Sequence, residues 1–157
     1  MPRGPNDFDC IDIRILSELQ RNGRQTFAEL GRKAGLSLPA AAERVRKLED
    51  CGAIQGYAAA VDAGKLGYPI TAFVRLKSVP QSYTRFKHAV AALAEIVECH
   101  HVTGEDSFQL KIVASSIVHL EALVGKLSAF GQTTTSIVLS TSLSRNLAGL
   151  KPAGMAG

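Results

Sequence analysis

Leu36-Ser37-Leu38-Pro39-Ala40-Ala41-Ala42-Glu43-Arg44-Val45-Arg46-Lys47-Leu48-Glu49, followed at once by Asp50-Cys51-Gly52, is the stretch from which the rest of the chain can be read. Ser37 is a good helix N-cap, and Pro39 falls in the first turn, where its missing N–H does little harm. Ala41, Val45 and Leu48 recur at spacings of four and three and form a stripe to be buried, and Gly52 ends the helix. Arg44 and Lys47 lie on the opposite face, with Leu38, Pro39 and Ala40 at the tip. A helix built this way can push its N-terminal end into a DNA major groove while its flank meets phosphates.

The residues upstream are suited to holding that helix. Residues 9–22 are amphipathic, with Ile11, Ile15, Leu16 and Leu19 on one side and Gly23 as a stop. Thr26-Phe27-Ala28-Glu29 is a capping box that opens a second helix running to about Ala34, and only Gly35 and Leu36 separate it from Ser37. Helix, short glycine-containing turn and basic second helix make a helix-turn-helix. After Gly52, residues 53–61 predict a β-strand or wing. The plainer alternative is an ordinary three-helix core whose charges are only a solvated face, since helix-turn-helix spacing alone is a loose signal.

Downstream, residues 62–69 hold two glycines and a proline, and the periodicity changes beyond them. Ile70, Ala72, Val74 and Leu76 alternate with Thr71, Phe73, Arg75 and Lys77, a strand with one buried face. The next helix carries Tyr83, Phe86, Val90 and Leu93 on one stripe. A strand over residues 96–103, a turn at Gly104-Glu105-Asp106 and a strand through Phe108, Leu110, Ile112 and Ala114 follow. A second helix sets Ile117, Leu120, Val124 and Leu127 at the same spacing, and Gly131 ends it. The last strand is expected to bury Ile137, Leu139 and Leu143 and to expose Ser136, Ser140 and Ser142. The fold class is therefore α+β: a winged helix-turn-helix over 1–61, a linker at 62–69, a ferredoxin-like βαββαβ domain over 70–146 and a flexible tail at 147–157. The helices would cover one sheet face, and the other, with Phe73, Arg75, Gln109, Lys111 and Val113, suits sheet-to-sheet dimerisation better than water.

Composition narrows the function. The apolar fraction of 46% suits a globule with a real core. No apolar run approaches the ~20 residues of a membrane span, and the N-terminus does not resemble a signal peptide, so the expectation is a cytoplasmic protein without membrane partners. Cys10, Cys51 and Cys99 have no metal or disulfide spacing. Net charge is +4, yet residues 1–60 carry nine Lys/Arg against eight Asp/Glu. Position matters more: between Arg21 and Lys47 seven basic residues face only Glu29 and Glu43, while Asp7, Asp9 and Asp12 sit near the start of the first helix. Glu98 and His100 would share one strand face, and Cys99 and His101 the other, so neither pair alone makes a metal site. No nucleophile-base constellation, P-loop or GxGxxG is present, so neither enzyme activity nor a cofactor is expected.

These residues carry a resemblance to the Lrp/AsnC, or feast/famine, family of transcription regulators. Asp9-Cys10-Ile11-Asp12-Ile13-Arg14-Ile15-Leu16 with Asn22-Gly23-Arg24 is similar to the family's opening helix. The stretch from Ala34-Gly35-Leu36-Ser37 to Glu49, continued by Ile54-Gln55-Gly56-Tyr57, matches its recognition-helix signature. Glu98-Cys99-His100 with Val102-Thr103-Gly104 matches its effector-domain motif. The resemblance, covering residues 8–146, implies dimers that commonly assemble to octamers, double-stranded DNA as partner, and a small-molecule effector, usually an amino acid, bound where effector domains meet. The expected DNA-contacting set is Arg24, Thr26, Arg32, Ser37, Leu38, Pro39, Ala40, Arg44 and Lys47, with Ser37 capping and meeting phosphate and Arg44 meeting phosphate or guanine. The Leu38-Pro39-Ala40 tip has no side-chain donor, which predicts a degenerate A/T-rich operator read partly by bending. Many members show Gly-x-x-Asp at the hairpin; here Ser107 stands at the Asp position, after Glu105 and Asp106. The expected effector set is Thr103, Gly104, Glu105, Asp106, Ser107 and Ser140 or Thr141, against the alternative that Glu105 and Asp106 are ordinary hairpin residues. The rival function is a sensor or accessory protein that acts through protein partners with little DNA binding.

Overall fold

The computed structural model describes residues 8–144 and Leu147, which pack as two units. In the first, α1 (Cys10–Arg21), α2 (Phe27–Ala34) and α3 (Leu38–Asp50) start where their caps place them. Asp9 accepts from the N–H groups of Ile11 and Asp12, both at 2.9 Å, and Asp12 reaches back to the Asp9 N–H at 3.3 Å. The Thr26–Glu29 box opens α2, Gly35 closes it in the left-handed region at φ 72°, and Ser37 caps α3. Ile15, Leu30, Ala34, Ala41, Val45 and Leu48 form the core, flanked by Ile11, Leu16, Leu19 and Ile54. The stripe in the opening stretch is thus the one that is buried.

The wing is a correction. Residues 53–61 form no strand, and among the described residues the first strand begins at Ile70. Among its described residues the first unit contains no strand to pair with such a segment, and an extended run without a ladder partner leaves its backbone to water. Residues 61–69, part of which was read as a linker, pack with the second unit and contain a short 3-10 turn at Ala63–Leu66.

The second unit is a four-stranded antiparallel sheet in the order β2-β3-β1-β4, from β1 (Ile70–Lys77), β2 (Ile96–His101), β3 (Phe108–Ala114) and β4 (Gln132–Ile137). Helices α4 (Tyr83–Ala91) and α5 (Ile117–Ser128) supply the apolar stripes. Ala72, Val74, Leu76, Phe108, Leu110, Ile112 and Ala114 from the strands meet Phe86, Leu120, Leu123 and Leu127 from the helices. The helix stripe differs from expectation in one place: Ile117 is exposed and Leu123 is buried. Leu120, Leu123 and Leu127 satisfy the same three-and-four spacing one turn later.

The last strand is also a correction. It ends at Ile137, and Ile137, Leu139 and Leu143 are exposed, Leu139 to 96%. Antiparallel pairing explains this: Ile137 lies opposite Ala72, Val138 N–H still donates to Thr71 O at 2.9 Å, and β1 begins only at Ile70, so no ladder continues.

Gly131 joins α5 to β4 where a Cβ would overlap the Lys77 carbonyl oxygen and press on the Ser78 backbone. Neither neighbour is a side chain that can swing away. Gly131→Ala is therefore expected to cost about 2 kcal/mol, as overpacking does, read as a lower urea midpoint with unchanged slope.

Candidate nucleic-acid interface and effector hairpin

The tip of α3 stands in water. Leu38 is 54% exposed, Ser37 and Pro39 are exposed, and Ala40 is half-buried over the core. The Ser37 hydroxyl accepts from Ala40 N–H at 3.4 Å, the capping role expected of it. Arg24, Arg32 and Lys47 are exposed. Lys47 and Arg46 share Glu43, at 3.5 and 3.2 Å, exposed pairs that a phosphate can replace at little cost. Thr26 is occupied by Glu29: its N–H donates at 2.7 Å and its hydroxyl at 2.9 Å. That makes Thr26 a cap within α2, with its backbone donor already engaged.

Arg44 is placed differently from its neighbours. Its Nη1 donates to Asp12 Oδ1 at 2.9 Å and to Asp9 Oδ2, both in the cap of α1. The Asp12 side chain is only 1% exposed. The guanidinium is accordingly held above its usual range, first by Asp12 and then by Asp9. The Asp9 carboxyl lies below its ordinary value, first through the Asp12 N–H and then through Arg44. A carboxyl depressed by folding adds stability that is present above its unfolded value and lost as pH falls through its folded one. The Asp9 contribution is therefore expected to be present in full at neutral pH and to be lost progressively as pH falls through the acid range, together with those of Glu18, Glu29 and Glu98, whose carboxyls are also held low, read as a falling melting temperature. Asp9→Asn sheds part of that acid loss.

Two positions that sequence reasoning missed tie α2 to α1 and to the turn before α3. Lys33 donates to Glu18 at 2.6 Å and to Gln25 at 2.7 Å, joining α2 to α1. Gly31, inside α2, lets the chain turn back closely: Leu36 N–H donates to Gly31 O at 2.8 Å, and a Cβ on Gly31 would stand 2.6 Å from Leu36 O. A glycine inside a helix costs about 1 kcal/mol relative to alanine, so its presence there was the available signal.

In the second unit the hairpin between β2 and β3 gathers part of the expected effector set. Thr103, Gly104 and Glu105 are exposed, with Gly104 at φ 114°. Asp106 faces Arg75 at 3.4 Å. Two members are placed apart from the rest. Ser107 is buried, its hydroxyl donating to Ser78 O at 2.9 Å and accepting from Ser78 N–H at 3.1 Å, so both of its hydrogen-bonding roles are taken by the backbone. Ser140 lies past the other end of the sheet: Ile137 pairs with Ala72 and through it with Ile112, whereas the hairpin enters at Phe108, opposite Leu76. Ser140 and Thr141 are therefore not brought to the hairpin within one chain.

On the uncovered sheet face Glu98 accepts from Lys111 at 3.1 Å and lies 3.3 Å from His100, and it is held below the ordinary carboxyl value by His100 first and Lys111 second. His101 takes the opposite face, stacked on Phe108 at 4.9 Å with Tyr83 edge-on at 5.1 Å. Strand alternation thus separates the two histidines, as the sequence implied. Among the described residues no helix is long and apolar enough to cross a membrane.

Comparison with known proteins divides the chain in the same way. The AsnC-type helix-turn-helix domain matches residues 8–49, and the Lrp/AsnC ligand binding domain matches residues 71–147. The helix-turn-helix-type transcriptional regulator YezC of Bacillus subtilis is 44% identical over 135 residues, covering 86% of this chain and 96% of its own. The solved structure of LrpC from B. subtilis superposes with a TM-score of 0.84 at 37% identity, over 88% of this chain and 99% of the other. The regulator NMB0573 of Neisseria meningitidis, solved as a complex with L-Met, superposes with a TM-score of 0.84 at 26% identity, over 92% and 99% of the two chains. With a capped recognition helix in the first unit, a βαββαβ sheet in the second and a match to each over its own span, the chain belongs to the Lrp/AsnC family of DNA-binding transcriptional regulators.

Proposed function

We propose that this regulator works in the cytoplasm, senses an amino acid at the β2–β3 hairpin and reads a degenerate, A/T-rich operator through α3. The observation that carries the sensing is the hairpin itself: exposed Glu105 beside Gly104, with Asp106 held to one side by Arg75. A carboxylate beside open backbone suits a ligand with an ammonium and a carboxylate group. The L-Met complex of the Neisseria relative supports the same ligand class. The donor-free tip Leu38-Pro39-Ala40 limits direct readout to apolar contact with thymine methyls, leaving deformability to supply the remainder.

Assembly belongs to the same reading. The uncovered sheet face mixes charge with Phe73, 37% exposed, and Val113, and a second copy facing it would form a dimer that builds towards an octamer. Ligand held where copies meet then favours one assembly over another and changes how several copies of α3 align on DNA. A strict monomer in light scattering contradicts this.

A thermal-shift series with each common amino acid tests the sensing. One amino acid is expected to raise the melting temperature of the wild type, by an amount set by RT ln(1 + [L]/Kd), and to lose that effect in Glu105→Gln. No shift with any of them overturns it. Ser107, engaged with Ser78, is not free to meet a ligand, which leaves Glu105 to carry the ammonium contact. Operator selection adds an independent check: a sharp G/C-rich consensus contradicts the A/T-rich reading.

A further inference from the structure

We propose that Arg44 serves DNA recognition from the protein side, as a positioning residue that locks α3 onto the cap of α1, and that it does not contact the duplex. This rests on α3 being the helix that reads DNA.

The geometry is a closed network. Asp9 Oδ1 accepts from Ile11 and Asp12 N–H and so starts α1, while its Oδ2 receives Arg44. Asp12 Oδ2 returns to the Asp9 N–H, while its Oδ1 receives Arg44. The two carboxylates that define the first turn of α1 are the ones that receive Arg44 from α3. Asp12 is buried, so turning Arg44 outward to a phosphate would take a hydrogen-bonded cation away from a desolvated carboxylate. A phosphate contact made in water is a weak substitute. The other basic residues of α3 are unlike it: Arg46 and Lys47 are well exposed and pair with Glu43 at the surface. Arg44 lies between Ala41 and Val45 on the buried side and Lys47 on the wet side, so it can set the rotation of α3 about its own axis. That rotation decides which residues the tip presents.

The salt dependence of DNA binding separates positioning from contact. A residue that neutralises a phosphate releases counterions, so removing it makes the slope of log K against log[salt] shallower by about 1. Arg44→Gln keeps an amide donor towards Asp12 and removes the charge. At a temperature where circular dichroism shows it folded, its affinity for an operator duplex is expected to fall at least about tenfold with the wild-type slope kept. Lys47→Gln, as comparator, is expected to bind a few-fold more weakly with a shallower slope. Loss of about one unit of slope in Arg44→Gln overturns the proposal.

Asp9→Asn supplies a second variant that keeps its cap, since asparagine caps as well as aspartate. It removes a negative charge from the DNA-binding unit and loosens Arg44. Positioning predicts weaker DNA binding; equal or tighter binding, the result expected of an Arg44 freed to meet phosphate, overturns it. Steep salt dependence of the wild type is the separate check on α3 as the reading helix.

Discussion

Gly31→Val is expected to abolish tight DNA binding and to destabilise the N-terminal unit by about 3 kcal/mol, the upper end of overpacking costs. A side chain at position 31 meets Leu36 O at 2.6 Å and Ser37 O at 3.4 Å, backbone atoms of the turn that leads into α3. The turn must open, the Leu36 N–H to Gly31 O bond must lengthen, and Ser37 carries the start of α3 with it. Gly125 provides the control. It also lies inside a helix, α5, but has nothing within 4 Å of its Cβ position. Gly125→Ala is expected to stabilise by about 0.5–1 kcal/mol, the propensity difference alone. Urea unfolding of both variants, with DNA binding of the first, checks the pair of opposite signs.

Phe86→Ala is expected to cost about 3–5 kcal/mol in the second unit. Phe86 is fully buried, with its ring 4.5 Å from Phe108 and 5.7 Å from Phe130. It binds α4 to β3 and to the segment just after α5, so its loss empties the centre of the helix-covered face. Denaturant unfolding is expected to show the second unit melting first, with the helical signal of α1, α2 and α3 kept. A loss below about 1 kcal/mol would show that the core collapses around the cavity.

Local signals made most of the fold legible. Caps at Thr26 and Ser37 mark helix starts in the sequence, and the spacing of Ala41, Val45 and Leu48 marks the buried face of α3. Alternation gave the covered faces of β1 and β3. Features that depend on a partner were not legible. Residues 53–61 have strand-like residues but no neighbouring strand, and residues 139–143 alternate correctly but run past the start of β1. For α5, Ile117 and Leu123 fit the same periodicity, and only packing decides between them.

The candidate sites divide in the same way. Ser37 caps as its sequence says, whereas the carboxylates that receive Arg44 lie more than thirty residues away in sequence, beyond the reach of any local pattern. Ser107 stands where the family pattern has an acid, and its engagement with Ser78 follows from strand register that no local pattern reports. Answering the helix dipole is half of what the acidic cluster at the start of α1 does. Asp9 and Asp12 cap α1 and receive Arg44 with the same carboxylates.

Fluorescence anisotropy on a duplex from upstream of the gene for this chain, titrated at several salt concentrations with and without each common amino acid, tests the central claim most directly. The account predicts binding whose log K falls linearly with log[salt], by about 0.9 per phosphate neutralised, and one amino acid that shifts the curve. Failure to bind that duplex or any A/T-rich fragment at low salt would contradict it.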